Sequence, residues 1–164
     1  LAPKGRATRP TSDRVREALF SILGDVTDLR VLDLYAGSGA LAIEALSRGA
    51  GTATLVDAAP AAVAAIARNL DSLGIEAEVV RHPVARFLQA ASRDARQYDL
   101  VFLDPPYRHA SALGRELTSA LTSVLAPGAR VVAESDRRSP LGLELAVLDE
   151  RRYGDTLIQI HAAR

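Results

Sequence analysis

The chain has 164 residues, 48% of them hydrophobic, and its 20 Lys and Arg balance 20 Asp and Glu to a formal net charge of zero. That composition suits one folded domain with a sizeable core and excludes a disordered chain. Cysteine is absent, which excludes disulfides, thiolate metal sites and a cysteine nucleophile, and no apolar run is long enough to span a bilayer as a helix.

In chain order, Thr11-Ser12-Asp13 reads as a helix N-cap, followed by Val15, Ala18, Leu19, Ile22 and Leu23 at helical spacing. Leu29 to Tyr35 reads as a buried strand, Gly37-Ser38-Gly39 as a turn, and Leu41, Ala42, Ala45 and Leu46 as one face of a helix. A second strand is expected over Thr52 to Asp57. The next helix opens at Pro60 and stops at Gly74, as the preferences of Pro and Gly for those two ends dictate. Ala77 to Arg81 is expected as a third strand, and Val84, Phe87, Leu88 and Ala91 as a helix face. Tyr98 to Asp104 is expected as a fourth strand, stopped by Pro105-Pro106. Leu113, Leu117, Ala120, Leu121 and Val124 form another helical stripe. Pro127-Gly128 reads as a turn and Arg130 to Glu134 as a fifth strand. Leu143 to Leu148 and Thr156 to His161 close the chain as a strand pair about Tyr153-Gly154-Asp155.

Strands alternating with helices imply a mainly parallel sheet covered on both faces. The missing helix between the last two strands predicts a C-terminal hairpin with an antiparallel edge strand. The expected fold is therefore α/β and Rossmann-like, with seven strands, and such a parallel sheet with one antiparallel edge resembles that of class I methyltransferases. Residues 1–24 are expected to form a basic arm and helix, and residues 25–164 the main domain.

Residues 1–16 hold Lys4, Arg6, Arg9, Arg14 and Arg16 against Asp13 alone, a local excess that suits either a solvated terminus or a phosphate-bearing partner. The N-terminus lacks a charged segment followed by an apolar core, so a cytoplasmic location is expected. Methionine is absent even at position 1, which suggests a trimmed chain.

Three features carry chemistry. Val31-Leu32-Asp33-Leu34-Tyr35-Ala36-Gly37-Ser38-Gly39-Ala40-Leu41 lies where the first strand hands over to its helix, at the carboxyl end where doubly wound sheets bind ligands. Its glycines allow a tight turn and close backbone approach, and Asp33 is placed to meet an ammonium. Asp57 follows Gly37 by 20 residues, a spacing at which an acid accepts hydrogen bonds from ribose hydroxyls. These two say nucleoside cofactor without saying which. The third, Leu100-Val101-Phe102-Leu103-Asp104-Pro105-Pro106-Tyr107, is an apolar strand ending in D-P-P-Y. Its prolines remove two backbone donors. The Asp104 carboxylate and the Pro105 carbonyl are left as a rim of acceptors suited to an amine, and Tyr107 offers a ring for a base to stack on.

D/N-P-P-Y/F after the fourth strand resembles the signature of amino methyltransferases, which act on exocyclic base nitrogens or on glutamine amides. Within that group the chain resembles the RsmD family of 16S ribosomal RNA guanine-N2 methyltransferases. The resemblance lies in Thr8-Arg9-Pro10-Thr11-Ser12-Asp13-Arg14-Val15-Arg16-Glu17-Ala18-Leu19-Phe20, in the stretch from Asp33 to Leu41 continuing through Glu44-Ala45-Leu46-Ser47-Arg48-Gly49-Ala50, in D-P-P-Y, and in Tyr153-Gly154-Asp155-Thr156. It implies S-adenosylmethionine as cofactor with no metal, and 16S rRNA or the small ribosomal subunit particle as partner to a monomer, with guanine 966 of that RNA as target. It further implies Asp33, Tyr35, Ala36, Gly37, Ser38, Gly39, Asp57, Ala58 and Val84 around the cofactor, and Asp104, Pro105, Pro106 and Tyr107 around the target base. Arg9, Thr11, Arg14, Arg16 and Arg108 would meet RNA. One departure from the family pattern is His82-Pro83-Val84, where many relatives place Asp or Asn near the adenine amine. Adenine-N6 or protein-glutamine methylation, and a non-catalytic RNA-binding module, stay open from the residues alone. His82, His109 and His161 are scattered without metal-ligand spacing, and Asp99 opens the strand that Asp104 closes, so the two are no catalytic pair.

Overall fold

A computed structural model describes residues 12–106 and 110–163. Their order is α1 (Asp13–Leu23), β1 (Arg30–Leu34), α2 (Ala40–Ser47), β2 (Thr52–Asp57), α3 (Pro60–Leu73), β3 (Glu78–Arg81), α4 (Val84–Arg93), β4 (Tyr98–Leu103), α5 (Ala110–Thr122), β5 (Leu125–Asp136), β6 (Val147–Tyr153) and β7 (Thr156–Ala162). The strands form one sheet in the order β3-β2-β1-β4-β5-β7-β6. Strands β3, β2, β1, β4 and β5 pair in parallel, while β7 runs antiparallel to both of its neighbours.

The local signals act as the sequence suggests. Ser12 caps α1, its Oγ accepting from the Val15 N–H at 3.3 Å, and Pro60 opens α3. Gly74 ends α3 in the left-handed conformation at φ 64°, which a side chain would strain. Strands β1 and β4 have buried residues on both faces, as a sheet sandwiched by helices requires. On one face Val84, Phe87, Leu88 and Ala91 of α4 and Leu117 and Leu121 of α5 pack on Leu32, Leu34, Val101, Leu103 and Val131. On the other, residues of α1, α2 and α3, among them Phe20, Ala42 and Ile66, pack on Val31, Leu55, Leu100, Phe102 and Val132. Each such aliphatic or aromatic side chain, taken fully from water, contributes about 1.5–3 kcal/mol.

Two expectations change at the C-terminal end. The antiparallel strand is not the edge. β7 lies second from the edge and β6 takes the outside. β7 (Thr-Leu-Ile-Gln-Ile-His-Ala) buries Leu157, Ile158, Ile160 and His161, whereas β6 carries Asp149, Glu150, Arg151 and Arg152. The apolar strand goes inside and the charged one faces solvent, where charge discourages further strand pairing. Secondly, β6 spans Val147–Tyr153 rather than Leu143 to Leu148. Leu141, Leu143 and Leu145 do alternate inward, but as an irregular strap over the α5 side. Alternation reports one-sided burial, and strand pairing is a separate matter.

Helix α1 shares its core with the sheet. Phe20 meets Phe102 with ring centroids 6.0 Å apart, and the Arg130 guanidinium donates to the Leu23 carbonyl at 2.7 Å. Arg130 lies two residues before Val132, the register partner of Phe102. The helix therefore descends toward the amino ends of the strands and leaves its capped start, Ser12, toward their carboxyl ends.

Candidate functional site

At the carboxyl end of β1 the chain turns sharply. Tyr35, Gly37 and Gly39 all take positive φ, at 58°, 61° and 80°. Gly39 must be glycine on two counts. A Cβ there would stand 2.8 Å from Leu55 Cδ2 and 3.3 Å from Ile66 Cγ1, and the backbone is left-handed. At Gly37 a Cβ would meet nothing within 4 Å among the described residues, which leaves this backbone open to a ligand on their side. Tyr35 bears the same left-handed cost without the excuse of lacking a side chain. Non-glycine residues held this way cluster at functional sites. Burial, then the nearby Glu116 and Asp57 charges, raise its phenol pKa.

The loop is tied from three sides. The Gly39 N–H donates to the Ala36 carbonyl at 2.8 Å, and the Ala36 N–H to the Val56 carbonyl at 3.1 Å. The Asp57 carboxylate accepts from the Gly37 N–H at 3.0 Å and from the Ala59 N–H at 2.9 Å. Asn69, reaching from α3, donates from Nδ2 to the Ser38 carbonyl at 2.9 Å. Asn69 gives no local sequence signal, since it is one polar residue on a helix, and only the fold brings it to the loop.

Asp33 lies beneath the loop. It is 3% exposed and accepts the Ala42 N–H at the start of α2, at 3.2 Å. Burial pushes its carboxyl pKa up to about 8, the Ala42 hydrogen bond opposes this, and the Asp57 charge adds to it. A buried carboxyl with so little hydrogen bonding gains from a cationic partner.

The end of β4 lies beside this loop, since β1 and β4 pair in parallel with Leu34 opposite Leu103. Asp104 follows Leu103 and is partly buried, Pro105 is buried and Pro106 exposed. Tyr107 and Arg108 lie outside the described residues, as do Arg9 and Thr11. Among the described cations of the arm and first helix, Arg14 is exposed and Arg16 pairs with Asp13. Ala58 is exposed after β2, and Val84 opens α4 with its side chain in the core. Any part Val84 takes toward a ligand therefore runs through its backbone N–H, one of the group at a helix start that lacks an intrahelical acceptor.

Two of the residues set aside on sequence grounds, Asp99 and His161, are structural. Asp99 binds the Arg30 side chain at 2.9 and 3.0 Å and the Arg30 N–H at 2.9 Å. His161 is buried, with Nδ1 3.1 Å from the Leu145 carbonyl, and burial lowers its pKa. Among the described residues no three His, Cys, Asp or Glu cluster as metal ligands, and no helix is long and apolar enough to cross a membrane.

A glycine loop after β1, an acid ending β2 and a D-P-P tip on β4 together mark a class I methyltransferase fold, and comparison with known proteins identifies the family. The model of the family described as "Conserved hypothetical protein 95" matches residues 1–162. The chain belongs to this family. It is 36% identical to "Putative rRNA methyltransferase YlbH" of Bacillus subtilis, across 99% of this chain and 92% of that protein. It is 43% identical to "Ribosomal RNA small subunit methyltransferase D" of Escherichia coli, in an alignment that spans 65% of this chain and 53% of that protein. The solved structure "Putative methyltransferase yhhF from Escherichia coli" superimposes with a TM-score of 0.83 at 33% identity, covering all of this chain and 91% of that one. The family member described here is thus an S-adenosylmethionine-dependent methyltransferase related to the RsmD group, with the class I fold.

Proposed function

We propose that this protein methylates the exocyclic N2 amine of a guanine in 16S ribosomal RNA. The observation that carries the reading is the acceptor tip Asp104-Pro105-Pro106 standing beside the glycine loop of β1. An acceptor rim without backbone donors suits a group that brings N–H bonds, and the adjoining loop suits a nucleoside cofactor.

The residues fit S-adenosylmethionine. Asp33 supplies a buried anion for its ammonium, Gly37 an open backbone edge, and Asp57 an acid at the end of β2 for the ribose hydroxyls. A carboxylate offers about four lone-pair sites, so Asp57 can hold Gly37 and Ala59 and still meet a ribose. The bound cofactor supplies a methyl group on a positively charged sulfur.

The chain's own residues do the rest by positioning. Asp104 and the Pro105 carbonyl accept the amine hydrogens and direct the nitrogen lone pair along the line of attack. The amine nitrogen would take the methyl group, the electron pair of the former C–S bond being left with the cofactor. The nitrogen becomes positive, and Asp104 stabilises that charge until one proton leaves to the carboxylate or to water. Tyr107 would stack on the base, and the target guanine leaves its RNA stack to reach the pocket. Arg9, Thr11, Arg14, Arg16 and Arg108 would track the backbone, Arg16 after exchanging Asp13 for phosphate.

The test is transfer of labelled methyl from S-adenosylmethionine to small-subunit particles lacking the modification, with mass spectrometry of the nucleosides. N2-methylguanosine at a single site is the expected product. Label on adenosine, or on protein, would replace this reading with another amino methyltransferase.

A further inference from the structure

Strand β5 outruns its neighbour. Leu103 and Ala133 form the last paired level of β4 and β5, yet β5 continues for three residues, Glu134, Ser135 and Asp136. Glu134 is therefore the first residue beyond the pairing on β5, as Asp104 is on β4. Strand alternation puts Glu134 on the face of Val132 and Phe102, the face that also carries Asp33 and Asp57. Glu134 is buried to 6% exposure, which is uncommon for a glutamate. It is held at its backbone by the β7 ladder opposite Ile158.

We propose that Glu134 is a specificity-determining residue that selects guanine through its N1–H, an inference that rests on the guanine-N2 reading above. Guanine carries two kinds of donor side by side, the N2 amine and N1–H. With the amine hydrogens on Asp104 and Pro105, N1–H faces the next acceptor along the sheet, and a carboxylate accepts without donating. Adenine presents a lone pair at N1, which an acid in a low-dielectric wall repels. Burial makes the discrimination sharper than it would be in water. A site built to receive an N–H rejects an analogue lacking it far more strongly than a loose apolar pocket rejects a small change in size.

The base that separates the two ideas is 2-aminopurine, which keeps the N2 amine and lacks the N1 hydrogen. Particles are assembled with 16S rRNA carrying either guanosine or 2-aminopurine riboside at the methylated position, and single-turnover transfer is measured for each. The wild-type protein is expected to methylate the guanosine form at least about tenfold faster. In Glu134→Gln the amide donates to a bare N1 as well as accepting from N1–H, so the ratio should collapse toward one. A merely structural glutamate would lower both rates and leave the ratio alone. Equal wild-type rates on the two bases would overturn the inference and leave the N2 reading intact. An unchanged ratio in a folded, cofactor-binding Glu134→Gln would overturn it too. If the wild type forms no N2-methylguanosine, the underlying reading fails and the inference with it. Equal wild-type rates would overturn the inference even if the variant does not fold.

Discussion

The Asp57 carboxylate and the Gly37 N–H, 20 residues apart in sequence, meet at 3.0 Å. The acid that ends β2 therefore ties the glycine loop, besides the ribose contact proposed for it. Charge-assisted bonds of this kind contribute about 1.5–3 kcal/mol each. Asp57→Ala is expected to lower cofactor affinity at least about tenfold and to reduce thermal stability even without cofactor, because Gly37 and Ala59 both lose an acceptor. Calorimetric titration and a melting curve check the two halves. Cofactor affinity within twofold of wild type would remove Asp57 from the site.

Asp33 makes a prediction in pH. Its folded pKa of about 8 lies above the ordinary carboxyl value of 3.8. Between those values the folded chain binds the extra proton, so stability from this group is present below about pH 4 and is lost as pH rises toward 8. The cofactor-free wild type should melt progressively lower from pH 5 to pH 8, and Asp33→Asn should flatten that slope. Pairing with an ammonium reverses the preference, so S-adenosylmethionine binding near pH 6.5 should release close to one proton. Titrations in two buffers of different ionisation enthalpy measure it, and identical heats would show that Asp33 does not meet the cofactor as an anion.

Much of this was legible from short-range pattern. Ser12, Pro60, Gly74 and the Gly154-Asp155 turn sit where capping and turn chemistry place them. The glycine loop, Asp57 and Asp104 fall at strand ends because the apolar runs Val31–Leu34, Ala53–Val56 and Leu100–Leu103 define those strands. What was not legible depends on partners distant in sequence. Asn69 joins Ser38 only when α3 folds over the loop. Glu134 joins the row of acids only through a register that periodicity does not fix. Leu143 to Leu148 reads as a strand because burial on one face alternates whether or not the backbone pairs, and here Leu143 and Leu145 belong to the strap.

Asp104 should separate chemistry from cofactor binding. Asp104→Ala removes an acceptor from the amine but leaves the β1 loop untouched, so transfer should fall at least about a hundredfold while S-adenosylmethionine affinity stays within a few fold. Asp104→Asn, which keeps one acceptor oxygen, should retain more activity than alanine. Wild-type turnover in Asp104→Ala would refute the acceptor-rim mechanism.

Charge reversal tests the RNA surface. Arg14 is exposed on α1, whose start faces the carboxyl ends of the strands, and Arg9 precedes it in the same basic stretch. If both meet phosphates, Arg9→Glu with Arg14→Glu should weaken binding to 16S rRNA. The slope of log affinity against log salt should also become shallower, by about 0.7–0.9 for each phosphate no longer neutralised. Unchanged affinity and slope would mark the cluster as solvated charge.

Gly114 packs directly against the strap backbone. A Cβ there would stand 1.9 Å from the Leu141 carbonyl oxygen and 3.0 Å from the Gly142 carbonyl carbon, so either α5 or the strap must move. Thr118 fastens the same junction, its hydroxyl donating to the Gly114 carbonyl at 2.8 Å and accepting the Glu144 N–H at 2.9 Å. Overpacking against backbone costs about 1–3 kcal/mol, or roughly 2–12 °C in melting temperature for a domain of this size. Gly142→Ala is the control, since its Cβ would have 3.9 Å to the Pro140 carbonyl oxygen and the substitution bears only the left-handed cost of about 1–2 kcal/mol. Because α5 begins soon after the D-P-P tip, Gly114→Ala should depress methyl transfer more than cofactor affinity, whereas Gly142→Ala should leave the two in their wild-type proportion. A Gly114→Ala protein as stable and as active as wild type would mean that the strap yields freely and does not position α5.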